Sequence, residues 1–189
     1  MSRAYRIRIS ETLERIVHVE DGVATTLEVL PILPRERMQE LLGQELAAAG
    51  LAIEDGVARR TSESPEGDVS LEVDLATGQV TVRVTRSADV KLTTTRERAV
   101  REPSAAAEAS VRAEARAKLE RDASDVEEAE RRAATARLEA ELRDARTELD
   151  RVVHRVTAAA LKEKAAQLGE IEEIAEDEAS GVLTIRVRV

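Results

Sequence analysis

The chain has 189 residues, a formal net charge of −9 and one aromatic residue, Tyr5. The negative charge argues against a general binder of nucleic acid or of anionic membranes, because both attract excess positive charge. The sequence contains no cysteine, which excludes disulfides and cysteine-ligated zinc and leads us to expect a cytoplasmic location. No apolar run approaches the roughly 20 residues of a membrane span. We therefore expect neither nucleic acid nor membrane as a partner.

Four segments alternate apolar and polar residues with a period of two, which predicts β-strands. They begin at Tyr5, Leu71, Val80 and Leu183. Each segment carries apolar side chains at one set of alternate positions and polar or charged side chains at the other. Such alternation is typical of an antiparallel sheet with one buried face and one face in solvent.

Two of these segments share a turn sequence. Residues 74–84 align with residues 177–187 at an offset of 103. In both copies the first aspartate is expected to cap a turn, and Gly78 or Gly181 to supply a residue with positive φ. The match is equally compatible with an internal duplication and with convergence on favourable turn chemistry.

A shorter match joins residues 19–24 to residues 53–58, which both contain Glu-Asp-Gly-Val-Ala. This sequence predicts a tight turn with glycine after aspartate at each place. The short match favours convergence over duplication.

Residues 34–49 have the pattern of an amphipathic helix. Pro34 suits the first turn, where the amide hydrogen that proline lacks would have no partner. Gly50 suits a left-handed helix end. The apolar residues at helical spacing are Met38, Leu41, Leu42 and Leu46. We expect this helix to pack on the sheet.

Residues 104–169 form a second helical segment, without proline and without glycine before Gly169. Ser104 suits the N-cap and Gly169 the C-terminal stop. Ser124 and Glu127 also have the spacing of a capping box, which marks a helix start. The segment is therefore either one continuous helix or a helical hairpin that bends near Ser124.

Apolar residues in the second half of this segment recur in steps of four and three, as in a coiled coil. We call the following five residues the seam: Leu138, Leu142, Leu149, Val152 and Val156. A long helix with an apolar stripe exposes more apolar surface than a small β domain is expected to cover. The seam is therefore predicted to bind a protein partner or a second copy of the chain. The helical segment 104–169 has nearly balanced charge, with 13 Lys and Arg against 14 Asp and Glu. Such balance favours helix–helix docking.

These patterns predict an α+β fold made of a small antiparallel sheet, one packed helix and a long inserted alanine-rich helical arm. The expected organisation has three parts. They are a β-rich domain over residues 1–102 with a helix at 34–49, an arm over residues 104–169, and a C-terminal hairpin over residues 170–189 that returns to the sheet.

The residues that carry chemistry are few. Alternation places His18 on an exposed strand face, and His154 lies on a charged helix without a ligand set. The carboxylates of residues 170–178 lack the spacing of a calcium loop, and no phosphate-binding or nucleophile motif occurs. We expect no catalytic residue, no metal site, no cofactor and no enzymatic activity.

Five arginines lie at polar positions of the predicted strands: Arg6, Arg8, Arg83, Arg186 and Arg188. On one sheet face they would form a basic ladder able to hold an acidic partner. The simpler interpretation is that arginine keeps an exposed face in solution. A small-ligand or enzymatic site at this face is an alternative function.

Three segments resemble the small accessory X proteins of bacterial FtsH ternary systems. They are MSRAYRIRI at residues 1–9, LEVLPILP at 27–34 and GVLTIRV at 181–187. In such systems the X protein accompanies an FtsH-like AAA+ ATPase and a von Willebrand factor A protein. The resemblance includes no catalytic motif. It implies a non-enzymatic component of an ATP-driven conflict or quality-control apparatus that contacts the ATPase or its clients.

The sequence as a whole predicts a non-enzymatic adaptor that docks a protein through its helical arm. The partner would be the AAA+ ATPase, the von Willebrand factor A protein or a second copy of the chain. A self-assembling structural protein is a further alternative.

Overall fold

A computed structural model describes residues 5–177 and 182–188 of the chain. Its elements, in chain order, are β1 (Tyr5–Thr26), α1 (Arg35–Ala48), β2 (Ala52–Glu54), β3 (Val57–Ser62), β4 (Asp68–Asp74), β5 (Gln79–Val100), α2 (Ala105–Leu168), β6 (Glu170–Asp177) and β7 (Val182–Arg188). A five-stranded antiparallel sheet has the order β1-β5-β4-β3-β2, and β6 pairs with β7 in a sheet of two strands. The predicted α+β class with a long helix is confirmed.

The chain divides into two compact units. Unit 1 contains residues 5–21 and 85–136, and unit 2 contains residues 22–84, 137–177 and 182–188. This division differs from the three parts expected from the sequence. The helix is not a domain of its own, because its first half packs within unit 1 and its second half within unit 2.

In unit 1, β1 and β5 form a two-stranded ribbon. The hydroxyl groups of Thr12 and Thr93 form a hydrogen bond with an oxygen–oxygen distance of 3.1 Å. His18 Nδ1 lies 2.9 Å from the hydroxyl oxygen of Ser87. The two residue numbers total 105 in each pair, so one antiparallel register holds along the ribbon. The first half of α2 packs through buried residues spaced by four, which are Val111, Ala115, Leu119 and Ala123.

In unit 2, β2, β3, β4 and the adjoining parts of β1 and β5 form a sheet that is covered on one face by α1 and the second half of α2. The apolar side chains of the alternating strands face these helices and are buried. In β4 and at the start of β5 they are Val69, Leu71, Val73, Val80, Val82 and Val84. The helix α1 supplies Met38, Leu41, Leu42 and Leu46 to the same core. Its predicted apolar face is therefore buried.

Local signals placed several ends of elements correctly. Gly50 has φ +88° and follows α1, and Leu51 donates its amide hydrogen to the Leu46 carbonyl. In the β4–β5 turn, Asp74 Oδ1 accepts the amide hydrogens of residues 76 and 77, and Gly78 has φ +71°. These bonds lower the pKa of Asp74, the amide and hydroxyl of Thr77 contributing most. Gly181, the counterpart of Gly78, lies outside the described residues.

The turn predicted at residues 19–24 is wrong. The strand β1 runs through this stretch and ends at Thr26. Its Gly22 lies so close to β5 that a Cβ atom there would be 3.1 Å from the Val82 carbonyl oxygen and from the Arg83 side chain. The glycine therefore permits close strand approach. The matching sequence at 53–58 does form a turn, with Asp55 and Gly56 at positive φ.

The long helix is continuous from Ala105 to Leu168. Ser104 caps it, because its hydroxyl accepts the amide hydrogen of Ala107 at 3.2 Å. Ser124 lies inside the helix as an exposed residue, so of the two alternatives the uninterrupted helix is correct.

In the described part of the chain, the C-terminal hairpin does not join the five-stranded sheet. Its strands pair with each other, and the cross-strand pairs Arg186–Glu173 and Arg188–Glu172 join them. Gly169 precedes the hairpin where a Cβ atom would collide with the Arg188 carbonyl oxygen.

Candidate protein-binding groove

The second half of α2 has two flanks, and α1 lies along one of them. Arg37 contacts Glu163 at 2.9 Å, and Arg155 contacts Glu45 at 2.5 Å. Residue numbers rise along α1 while they fall along α2, so the two helices are antiparallel. We call this side of α2 the α1 flank.

A third ion pair lies on the α1 flank, between β3 and α2. Arg60 donates two hydrogen bonds to the carboxylate of Glu148, at 2.8 and 2.6 Å. These bonds raise the pKa of Arg60 and lower the pKa of Glu148 below its ordinary value of 4.5, although partial burial of both groups opposes these shifts. Arg60 thus joins the sheet to the helix with a bidentate, charge-assisted contact.

The opposite flank of α2 is open. A cleft of about 580 Å³ lies there between the helix, the end of β1 and the start of β5. We call it the groove. Its apolar wall consists of Val23, Leu27, Val80, Val82, Leu142, Ala145, Leu149 and Val153, and its polar residues are Thr25, Thr26, Glu28, Arg146 and Asp150.

The groove carries charged residues that are not paired within the described chain. Among the residues that the structure describes, none forms an ion pair or side-chain hydrogen bond with Glu28, Arg146 or Asp150. Arg146 and Asp150 lie one helical turn apart along α2. The groove therefore combines an apolar wall with charges of both signs that remain available to another molecule.

This composition suits an amphipathic helix. Four apolar residues of α2 line the groove, namely Leu142, Ala145, Leu149 and Val153, and helix-in-groove recognition uses such a row of apolar contacts. Charges at the rim would fix the direction and register of the bound helix. On the α1 flank, ion pairs already join α2 to such an amphipathic helix.

Comparison with protein families gives a match over residues 1–189 to the model described as FtsH ternary system domain X5. The chain belongs to this family. The resemblance of its terminal segments to X proteins is thereby confirmed. Searches among curated proteins and among solved structures gave no match. The X5 family is part of an FtsH ternary system, so an accessory component of such a system is the coarse functional assignment.

The seam of this X5 chain is mostly interior. Four of its residues, Leu138, Leu149, Val152 and Val156, are buried, and Leu142 is half-buried. The expectation that the chain cannot cover the seam by itself is therefore wrong. The strands β1 and β5 have 22 residues each, so the sheet offers more apolar surface than the short predicted strands.

Two seam residues nevertheless line the groove: Leu142 and Leu149. The sequence pattern missed the groove residues outside α2, above all Val23 and Leu27. Both lie where β1 ends, and the false turn at Gly22 concealed the apolar positions beyond it. An unbroken strand through Gly22 would have placed Val23 on the same face as Val17 and Val19.

The five arginines do not form one basic ladder. Arg186 and Arg188 belong to the β6–β7 sheet and pair with glutamates of their own hairpin, while Arg6 pairs with Glu97 at 3.2 Å. Arg8 and Arg83 are exposed on β1 and β5. Because Arg6, Arg186 and Arg188 each pair with a glutamate, their attraction for an acidic partner is reduced.

The remaining candidate groups are dispersed. His18 is exposed, as predicted, and His154 is exposed on α2. Within residues 5–177 and 182–188, no three His, Asp or Glu side chains are grouped closely enough to hold a metal ion. In the same part of the chain, no helix has both the length and the apolar character to cross a membrane.

Proposed function

We propose that this X5 protein is a non-enzymatic accessory component that binds another protein of its FtsH ternary system through the groove. The occupant is an amphipathic helix of that partner. The resemblance noted above makes the FtsH-like AAA+ ATPase and the von Willebrand factor A protein the partners to test.

One observation carries this proposal. Within the described chain, α1 lies along one flank of α2 and is joined to it by two ion pairs, and Arg60 of β3 pairs with Glu148 on the same flank. The groove flank leaves Leu142 and Val153 partly exposed beside Arg146 and Asp150, for which the described residues supply no partner. A partner helix would complete the groove flank if it carried an apolar stripe, a carboxylate side chain near Arg146 and a lysine or arginine near Asp150.

The proposal is tested by Leu142→Asp in the full chain, with binding to the purified ATPase and to the purified von Willebrand factor A protein measured by calorimetry. The charged side chain would stand in the apolar wall, so affinity for the partner should fall about tenfold or more. Leu161→Asp is the matched control, because Leu161 lies on the same helix, is 39 % exposed and does not line the groove.

The control should bind within about twofold of the original chain, since it changes no contact in the groove. Circular dichroism should show the same helix content for both variants. Equal binding by the original chain and Leu142→Asp, or equal losses in the two variants, would contradict a helix in the groove.

A further inference from the structure

The outer edge of β1 has no neighbouring strand among those that the structure describes. The sheet order places β1 at one end, and its partner on the other side is β5. The opposite edge strand, β2, has three residues, whereas β1 has 22. A long edge strand presents backbone N–H and C=O groups that can pair with another strand. β1 contains no proline and no lysine, which are residues that commonly protect such edges.

The register of β1 against β5 identifies which residues face outward. Leu27 donates its amide hydrogen to the Gly78 carbonyl, and these two numbers also total 105. In an antiparallel pair, hydrogen-bonded and non-hydrogen-bonded residues alternate. Odd-numbered residues of β1 therefore bond to β5, and even-numbered residues point their backbone groups to the open edge. The even-numbered residues from Arg6 to Glu20 all have exposed side chains, and Ile16 is 72 % exposed.

The sequence of β1 is complementary to itself in the antiparallel direction. When a second copy is aligned with Leu13 opposite Leu13, Glu11 faces Arg15 and Arg6 faces Glu20. The apolar residues Ile7 and Ile9 face Val19 and Val17 in the same alignment. Opposite charges and β-branched residues at facing positions are the pairs that stabilise a sheet.

Backbone geometry agrees with this alignment. Facing residues have numbers of the same parity, so the even-numbered residues at the open edge would form the hydrogen-bonded pairs. The odd-numbered residues would form the non-hydrogen-bonded pairs, whose side chains lie closest. Glu11 and Arg15 are such a pair. Within one chain Arg15 already lies 3.6 Å from Glu127, and Glu11 lies 3.1 Å from Arg112, so each member of the facing pair would join an existing cluster of opposite charge.

The other open edge of the ribbon in unit 1, along β5, lacks this property. With Thr93 opposite Thr93, Arg96 faces Val90 and Glu97 faces Asp89. Two carboxylates would then oppose each other at facing positions, which destabilises strand pairing.

We propose that two copies of the chain pair through β1, antiparallel and centred on Leu13, to form a closed dimer. A two-fold axis makes the interface self-complementary and ends the assembly at two chains. This inference is independent of the groove, because its residues belong to unit 1 and its readout is self-association.

Thr12→Pro tests the proposal, because proline removes the outward amide hydrogen next to the two-fold axis. Thr93→Pro is its matched control. Thr93 is the cross-strand neighbour of Thr12 and loses the same hydroxyl contact, but its amide hydrogen points to the opposite edge of the ribbon. Light scattering over a dilution series should give twice the 20.7 kDa chain mass for the original chain and for Thr93→Pro. The dissociation constant of Thr12→Pro should rise about tenfold or more.

A charge exchange gives a second test. Arg6→Glu and Glu20→Arg change exposed side chains, and each places like charges opposite each other in its own dimer, so each variant alone should dimerise more weakly. A mixture of the two restores the facing ion pairs and should dimerise like the original chain. An original chain that is monomeric up to about 100 µM, or that only binds a strand of another protein, overturns the proposal. So does a Thr12→Pro variant that dimerises as strongly as Thr93→Pro, or a mixture that dimerises no better than either variant alone.

Discussion

The two flanks of the second half of α2 differ in what lies along them. On the α1 flank, an amphipathic helix of the same chain lies along α2, and Glu148, Arg155 and Glu163 have ion-pair partners. On the groove flank, Leu142 and Val153 stay partly exposed, and Arg146 and Asp150 have no partner in the described part of the chain. The comparison teaches that the molecule contains an internal example of the contact proposed for its partner.

The comparison depends first on α1 being a stable part of the core. Leu46 is fully buried in α1, so Leu46→Ala would remove apolar contacts and leave a cavity. We expect the free energy of unfolding to fall by about 2–5 kcal/mol. Urea denaturation followed by circular dichroism measures this change.

Leu161→Ala is the control for this prediction, since the side chain is exposed on α2 and its truncation should cost about 0.5 kcal/mol or less. If Leu46→Ala were as mild as this control, α1 would not be the covering element that distinguishes the two flanks.

A smaller effect is expected from the ion pair that joins the sheet to the α1 flank. Glu148→Gln would leave Arg60 without its carboxylate and should cost about 1 kcal/mol at pH 7, because both side chains are partly exposed and solvent weakens the pair. The pKa of Glu148 is lower in the folded chain than its ordinary value of 4.5. Its contribution is therefore complete above pH 4.5 and is lost as the pH falls through the lowered pKa.

Denaturation of the original chain and of Glu148→Gln at several pH values checks both statements. The difference in unfolding free energy should be constant near neutral pH and should shrink below pH 4.5. Glu139→Gln, an exposed change on the same helix, should show no such trend. A difference independent of pH would mean that the charge of Glu148 does not stabilise the fold.

Local signals in the sequence determined much of the fold. The cap at Ser104, the helix end at Gly50 and the Asp74–Gly78 turn depend on side chains close to the backbone groups they serve. Such contacts can be recognised from spacing alone. Gly22 shows the opposite case, because the residues that require a glycine there are Val82 and Arg83, sixty positions away in sequence.

The seam shows why the site was only partly predictable. Its spacing correctly indicated residues that avoid water, and four of the five are buried. The spacing does not indicate whether the covering surface belongs to the same chain. That depends on the length of β1 and β5 and on the placement of α1, which are set by long-range packing. Leu142 was identified from the same pattern, but its position in an open groove was visible only in the structure.

The most direct test of the groove uses the absence of native cysteine. Val153→Cys places a single thiol in the groove, and Leu161→Cys places one on the same helix outside it. Maleimide labelling of each variant is measured with and without the purified ATPase or von Willebrand factor A protein. Occupation of the groove predicts that one of these partners slows labelling at position 153 about tenfold or more and leaves position 161 unchanged. Unchanged labelling at 153 in a complex that has been shown to form would contradict it.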